Sequence, residues 1–441
     1  MLLSSLSVCS FLSNANTGFK SNVWVRYRNQ AAMIIFKTAS YLTDPITMAH
    51  ANYKFTWMID ALYPEAYKVS NYGRIAFLYL KTSMLAMTGI LPALGAIGLR
   101  AIAKKILTED WTYLKGSAEE KTSFSSETDQ EGRAFKSLTH LSWNICCVGA
   151  GYPISDGGVM PWSYRIEAIA NKVKEQDVDV VCLYEVLDFH SALSLYSRLK
   201  DSYIHFYFNI GPRAVGVSSG IFVASRFSIE NPEFHLFSKE KLAGRSTFAN
   251  KGCFGFDVCD TSKRVSILAS HFSHSEIPQK SASTTELEEK SLKEEEDSRG
   301  YQLKECINML LNRKRRLHHD LDIPTLLTGD LNDDIEGLST SLNRIMTGET
   351  LKEQEEIKRY WEDLQKGNGY DVEKFGPTWG GDGLRAQIKK EPISEAVNLD
   401  HSLILNAQIV TFPVETGYDA WKFTRTALSD HRGLKSTIHF S

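Results

Sequence analysis

Beyond residue 137, short apolar runs alternate with stretches whose apolar residues recur every three or four positions. The short runs predict strands at Leu138–Cys147, Val178–Tyr184, Ser219–Ser225, Val265–His271, Thr325–Gly329 and Leu399–Leu405. Val178–Tyr184 is apolar almost throughout, which predicts a strand covered on both faces. Ser163–Gln176 carries Ile166, Ile169 and Val173 at helical spacing and predicts an amphipathic helix. Alternation of the two kinds of element predicts a layered α/β (α+β) domain over residues 138–441. Within it, Pro278–Ser298 is rich in Glu and poor in apolar residues, so it reads as a solvated loop or surface helix. Arg313-Lys314-Arg315-Arg316 ends a helical stretch and reads as a solvated helix C-terminus, where cations suit the dipole.

The first part of the chain follows neither pattern. Residues 1–114 mix aromatic, apolar and basic positions and predict a largely helical region, and the polar, Ser/Glu-rich residues 115–137 predict a linker. From Thr82 to Leu99 no residue is charged, and Lys81 and Arg100 bracket the run. As a helix it would measure about 27 Å, just short of a bilayer core of roughly 30 Å. Pro92 and the Thr, Ser and Gly interruptions weaken a membrane span, so the alternatives are membrane contact or a buried helical hairpin. Met1–Ser13 is apolar but lacks the positive n-region of a secretory signal, leaving membrane association or secretion without a standard signal as expectations.

Composition sharpens this division. At 441 residues the chain exceeds what one core usually supports, which predicts two domains. Residues 1–105 hold 11 Lys/Arg against 3 Asp/Glu, a local +8 that leaves −11 for the remainder of a chain of net charge −3. The basic part suits an anionic surface, and the acidic part argues against broad nonspecific binding of nucleic acid. Seven cysteines, two of them adjacent, predict reduced core residues rather than a disulfide framework.

Candidate chemistry lies where apolar runs end. Asn144, Glu185, His271, Asp330 with Asn332, Asp400, and Ser429-Asp430-His431 all stand within or just beside predicted strands. Each alone has a bland reading as a turn, surface carboxylate or packing residue. Together they supply hard oxygen ligands for a divalent cation, a histidine base with a carboxylate partner, and neutral donors for a phosphoryl group.

In order, Ser-Trp-Asn (142–144), Arg165 with Ile169, Asp179 to Glu185, Ser219-Gly220 with Ser225-Arg226, Ser270-His271-Phe272, Arg299 with Gln302, Gly329-Asp330-Leu331-Asn332, Leu399-Asp400-His401 and Leu428-Ser429-Asp430-His431 resemble the endonuclease/exonuclease/phosphatase superfamily, the deoxyribonuclease-I-like fold. The resemblance implies a four-layer sandwich of two β-sheets flanked by helices and a Mg²⁺-dependent phosphoric ester hydrolase. It implies Asn144, Glu185 and Asp430 as metal residues and His431, oriented by Asp400, as general base. Asp330 would position water or metal, and Asn332 and His271 would stabilise phosphoryl oxygens. Tyr184 stands where the family usually has Gln, and His401 where it often has a hydrophobic or aromatic residue, two departures in the surroundings of the site.

Substrate is less legible, because fold does not set it. Phe248-Ala249-Asn250-Lys251-Gly252 is similar to the region before the central strand of neutral, bacterial-type sphingomyelinases. That similarity implies Asn250 and Lys251 as substrate-binding residues and a lipid headgroup phosphodiester as substrate. DNA or RNA as substrate, a phosphoinositide phosphatase through Phe375-Gly-Pro-Thr-Trp379, and a non-catalytic binding module are the alternatives.

Overall fold

The computed structural model describes residues 23–440 except 63–67, 129–133, 150, 152–158, 262, 275–285, 320, 380–396, 415–417 and 422–423. Helices α1 (Val23–Leu62) and α2 (Lys68–Ile106) run antiparallel: Arg28 donates to the carbonyl of Ile106, and Gly89 lies against Ile46. A Cβ at Gly89 would come within 2.7 Å of the Ile46 side chain, so only glycine permits this approach.

The next elements are β1 (Thr112–Lys115), β2 (Ser125–Thr128), β3 (Ala134–Asn144), α3 (Trp162–Gln176), β4 (Val180–Tyr184), α4 (Phe189–Leu199), β5 (His205–Phe208) and β6 (Phe222–Ser225). They are followed by β7 (Ser228–Leu236), β8 (Gly252–Cys259), β9 (Arg264–His271), α5 (Glu286–Leu317), β10 (Thr325–Asp330), α6 (Ile335–Ile345) and α7 (Leu351–Lys366). The chain closes with α8 (Val372–Phe375), β11 (Asp400–Leu405), β12 (Gln408–Val414), a hairpin of β13 (Tyr418–Trp421) and β14 (Thr424–Ala427), and β15 (Gly433–Phe440). One sheet has the order β1-β5-β6-β4-β3-β15-β12 with β2 also beside β3, and the other the order β11-β10-β9-β8-β7.

Three apolar clusters separate four layers. Val180, Cys182 and Tyr184 meet Phe254, Phe256 and Ile267 between the sheets. Val181 and Leu183, on the opposite face of the same strand, pack beneath α3 and α4 with Ile169 and Leu195. The outer face of the second sheet is covered by α5, α6 and α7 through Leu303, Ile307, Leu342 and Trp361. Each such side chain contributes about 1.5–3 kcal/mol on burial, so the core outweighs any local propensity. The fold is thus the expected mixed α/β sandwich preceded by helices.

Three expectations change. The segment 115–137 is not a free linker: β2 pairs with Ala134–Ser137, Lys121 meets Asp179 at 2.7 Å, and Phe124 is buried against Phe227 and Phe440. A buried aromatic in a polar run, a strand pairing and an ion pair together pin it. The strand expected from Ser219 starts at Phe222, because the chain turns at Gly220 (φ +80) against Glu185 and Leu187. The basic run is not simply solvated. Arg313 is buried and donates to Asp257 at 2.8 Å, while Lys314, Arg315 and Arg316 pair with Asp322, Glu356 and Glu233. The six cysteines among the described residues are free, and all but Cys259 are buried.

Asp257 sits at the centre of a buried network that also takes in Asn231 and His318. Burial pushes its carboxyl up, but His318, Arg313 and Asn231 outweigh this and hold it down at about 2. A depressed carboxylate adds stability above its unfolded value near 3.9, about 2 kcal/mol here, which is lost as pH falls through about 2. Arg313→Met would leave that charge buried without its nearest cation, and urea unfolding at pH 7 should show a loss of about 3 kcal/mol. An unchanged midpoint would show that the pair contributes nothing.

Candidate active site

Register brings the chemistry to one end of both sheets. In the second sheet, β9 and β10 are parallel and pair His271 with Asp330, while β10 and β11 are antiparallel and pair Asp330 with Asp400. Three functional residues therefore stand side by side across neighbouring strands. In the first sheet, Asn144 pairs with Tyr184, the residue before Glu185. His431 precedes β15, which runs antiparallel to β3, so it returns to the same end.

The side chains meet between the sheets. The Asn144 amide nitrogen donates to Glu185 Oε1 at 3.2 Å and to Asp330 Oδ2 at 2.8 Å. His271 Nε2 lies 3.9 Å from Glu185 Oε1 and 3.6 Å from Asp330 Oδ2. His431 Nε2 lies 3.7 Å from the same Asp330 oxygen, and its Nδ1 is 2.8 Å from Asp400 Oδ2. That last contact fixes the ring and leaves Nε2 facing the pocket. Asn332 donates from its side chain to the Phe272 carbonyl at 3.0 Å, and Lys251 Nζ donates to the same carbonyl at 2.9 Å.

Backbone strain accompanies these positions. Glu185 (φ +63), Asn332 (φ +56) and Cys146 (φ +47) all adopt left-handed conformations that non-glycine residues seldom take. Arg165 supports the arrangement from below. It projects from α3 and donates to the carbonyls of Ile145, Cys146, Met160 and Leu428, tying the loop after Asn144 to the loop before Ser429. Trp143 Nε1 adds a bond to the His431 carbonyl at 3.0 Å, and Ser429 donates to the Asn144 carbonyl at 2.6 Å.

Charge is concentrated here without full compensation. Burial and the neighbouring Asp430 raise Glu185, and burial raises Asp330 to about 7. Burial also brings Lys251 down to about 8, against the pull of Glu185 and Asp330. His271 falls well below its ordinary value through burial and the nearby Lys251. Burial lowers His431 too, but Asp400, Asp330 and Asp430 outweigh it and hold the ring well above the usual imidazole range.

Two buried carboxylate oxygens, Glu185 Oε2 and Asp400 Oδ1, have no hydrogen-bond partner. A buried anionic oxygen without a donor is costly, so this donor set fits a hard divalent cation. Ligand atoms of Asp330, Asp400 and His431 lie within 4.8 Å of one another. Asp400 engages His431 through Oδ2 alone, so Glu185 Oε2 and Asp400 Oδ1 are the two carboxylate oxygens left open here.

All the residues proposed for catalysis or metal from the sequence approach this pocket, Asp430 through its effect on Glu185 and His431, but Asn144 among them, and Asn250 among those proposed for substrate, differ in detail. Asn144 turns its oxygen to the Cys146 N–H at 2.9 Å and its nitrogen between two carboxylates, so it bridges them as well as standing beside Glu185. Asn250, expected at the substrate, instead donates to the carbonyls of Gly211 and Pro212 and braces that loop. Thr378 was not anticipated as a site residue. Its hydroxyl accepts the N–H groups of Leu399 and Asp400, which places Asp400 behind His431. Tyr184, in place of Gln, donates to the Thr328 carbonyl across the sheets, and His401 bonds to the Asp333 carbonyl.

The model of the Endonuclease/Exonuclease/phosphatase family matches residues 141–431, about two thirds of the chain and every residue of this pocket. The chain belongs to that family. No curated protein matches it significantly in sequence. Solved structures similar to this endonuclease/exonuclease/phosphatase chain include beta toxin from Staphylococcus aureus, at 17% identity, TM-score 0.46, and coverage of 68% of this chain and 99% of that one. Sphingomyelinase C from Streptomyces griseocarneus gives 18%, 0.43, 69% and 99%, and truncated TDP2 from Caenorhabditis elegans gives 16%, 0.43, 69% and 98%. The family's general activity, hydrolysis of phosphoesters, agrees with the pocket's chemistry.

Proposed function

We propose that this phosphoesterase is a Mg²⁺-dependent, sphingomyelinase-like phospholipid phosphodiesterase working at a membrane surface. The observation that carries the substrate reading is Lys251, a buried ammonium set among Glu185 and Asp330 at the mouth of the Asn250-Lys251-Gly252 turn. The same turn bears the similarity to neutral sphingomyelinases, and a fixed cation beside the pocket suits a diester phosphate carrying one negative charge.

In the reaction, a water oxygen forms a bond to phosphorus as the bond to the lipid alkoxide breaks. His431, held by Asp400, accepts the water proton at Nε2, and the leaving oxygen takes a proton from solvent. Asp330, 3.7 Å from that nitrogen, orients the water. Lys251, Asn332 and neutral His271 lie around the position of the phosphoryl oxygens. Glu185, with Asn144 and Asp430 beside it, would hold the Mg²⁺, which supplies Lewis-acid stabilisation of phosphoryl charge.

A panel of sphingomyelin, other phospholipids, a phosphoinositide and single-stranded DNA and RNA, each with Mg²⁺ and with His431→Ala as control, tests the reading. Release of phosphorylated headgroup from sphingomyelin, reduced at least about tenfold by Lys251→Met, is expected. Cleavage of nucleic acid or of the phosphoinositide monoester with phospholipid diesters left intact would overturn it.

A further inference from the structure

The hairpin of α1 and α2 is built inside out for a water-soluble helix pair. Its inner faces are small: Ala32 and Ala39 on α1, and Gly89, Ala96 and Ala103 on α2, are buried. On α2 the large apolar side chains point outward, whereas Met33 and Phe36 of α1 are buried toward the catalytic domain. Phe77, Leu80, Met84, Met87, Leu91 and Leu94 of α2 follow a strict three-four spacing and are 55–78% exposed. A soluble amphipathic helix places such a stripe against its partner, and a contiguous exposed patch of this kind marks an interaction face. Tyr79–Ile106 is also long and apolar enough to cross a membrane.

Charge selects among the occupants. Over its 39 residues α2 carries no Asp or Glu, while Lys81, Lys104 and Lys105 are exposed within and beyond the stripe and Arg100 turns inward to Thr43. An apolar stripe bordered only by cations matches a bilayer with anionic headgroups, whereas a second copy of the same helix would bring like charges together. Anchorage selects the orientation. Phe36 stacks on Phe189, Asp44 lies 3.5 Å from His190, and Arg28 and Asn29 bond to Ile106 and Thr108, so the half of the hairpin below Ile46 and Gly89 is held on the catalytic domain. That half includes Leu91 and Leu94, which therefore cannot leave the domain to cross a bilayer. Phe189 and His190 also follow Glu185 by only four and five residues, which couples the hairpin to the rim of the pocket.

We propose that the outer face of α2 docks in the plane of an anionic membrane as a peripheral, non-spanning anchor, with Phe77–Leu94 at the acyl boundary and the basic residues among the headgroups. This rests on the hairpin alone and not on the substrate reading. The test is cosedimentation of the full chain with phosphatidylcholine vesicles containing or lacking phosphatidylserine. Binding at least about tenfold stronger with phosphatidylserine, weakened by salt, is expected. Met87→Glu with Leu91→Glu should lower it at least about tenfold, while melting temperature and turnover of soluble bis(p-nitrophenyl) phosphate stay unchanged. Lys104→Glu with Lys105→Glu should remove most of the preference for phosphatidylserine. Binding that survives Met87→Glu with Leu91→Glu, or protein that resists alkaline carbonate extraction as a span does, would overturn the proposal. So would a concentration-dependent dimer, lost in the same double variant, that binds no vesicles.

Discussion

His431→Ala is expected to lower kcat on bis(p-nitrophenyl) phosphate by about 10³-fold, the upper range for removal of a positioned acid–base group. The fold should survive, because the nearby tie is made by the His431 carbonyl to Trp143 and not by its ring. The wild-type rate should rise with pH until the ring has lost its proton, and the carboxylates around His431 place that rise above the usual imidazole range. In the variant this limb should vanish, so a pH–rate profile separates loss of the base from general damage. Asp400→Asn should reproduce part of the loss by leaving the ring without its acceptor at Nδ1. A variant with wild-type kcat and an unchanged profile would remove His431 from the proton transfer.

Glu185→Ala should have an effect of similar size through a different route. If Glu185 is the principal ligand, its loss removes several kcal/mol of electrostatic stabilisation, about 10³-fold or more in rate at saturating wild-type Mg²⁺. Stability gives an independent readout. Without metal, Glu185 is a buried carboxylate with a partnerless oxygen, raised by burial and by Asp430, so its removal should leave the melting temperature in EDTA unchanged or higher. With metal, the wild type should gain stability and the variant should not. A variant that keeps both Mg²⁺-dependent turnover and the Mg²⁺-induced rise in melting temperature would show that the cation is held elsewhere, with Asp330, Asp400 and His431 the alternative set.

The sequence was informative where one physical effect dominated. Val180–Tyr184 could hardly be anything but a buried strand, and it lies where its apolar run predicts. The same holds for Arg264–His271 and Thr325–Asp330, whose polar ends stood out because the preceding residues were so apolar. Local pattern failed where contacts far apart in the chain settled the outcome. Phe124, Lys121 and the pairing of β2 drew a polar stretch into the sandwich, and Arg313, one cation among four, was chosen for burial because Asp257 lay opposite it. Nothing in the order Arg-Lys-Arg-Arg marks which one goes inside.

The division is similar at the pocket. Residue types and their places at strand ends were legible, because catalytic groups need rigid backbone beside solvent. Which side chain faces which was not. Asn250 and Lys251 are neighbours, yet the amide braces Gly211 while the ammonium enters the pocket, since consecutive residues at a turn point in different directions. Thr378, 22 residues before Asp400, became a support only when the chain returned beside it. The sequence alone therefore determined the element types, the family and the inventory of chemistry, through hydrophobic period and the order of motifs. Tertiary structure decided their meeting: strand register set His271, Asp330 and Asp400 abreast, and packing turned the large apolar face of α2 outward. Register and packing depend on residues far apart in the chain, and no local window contains them.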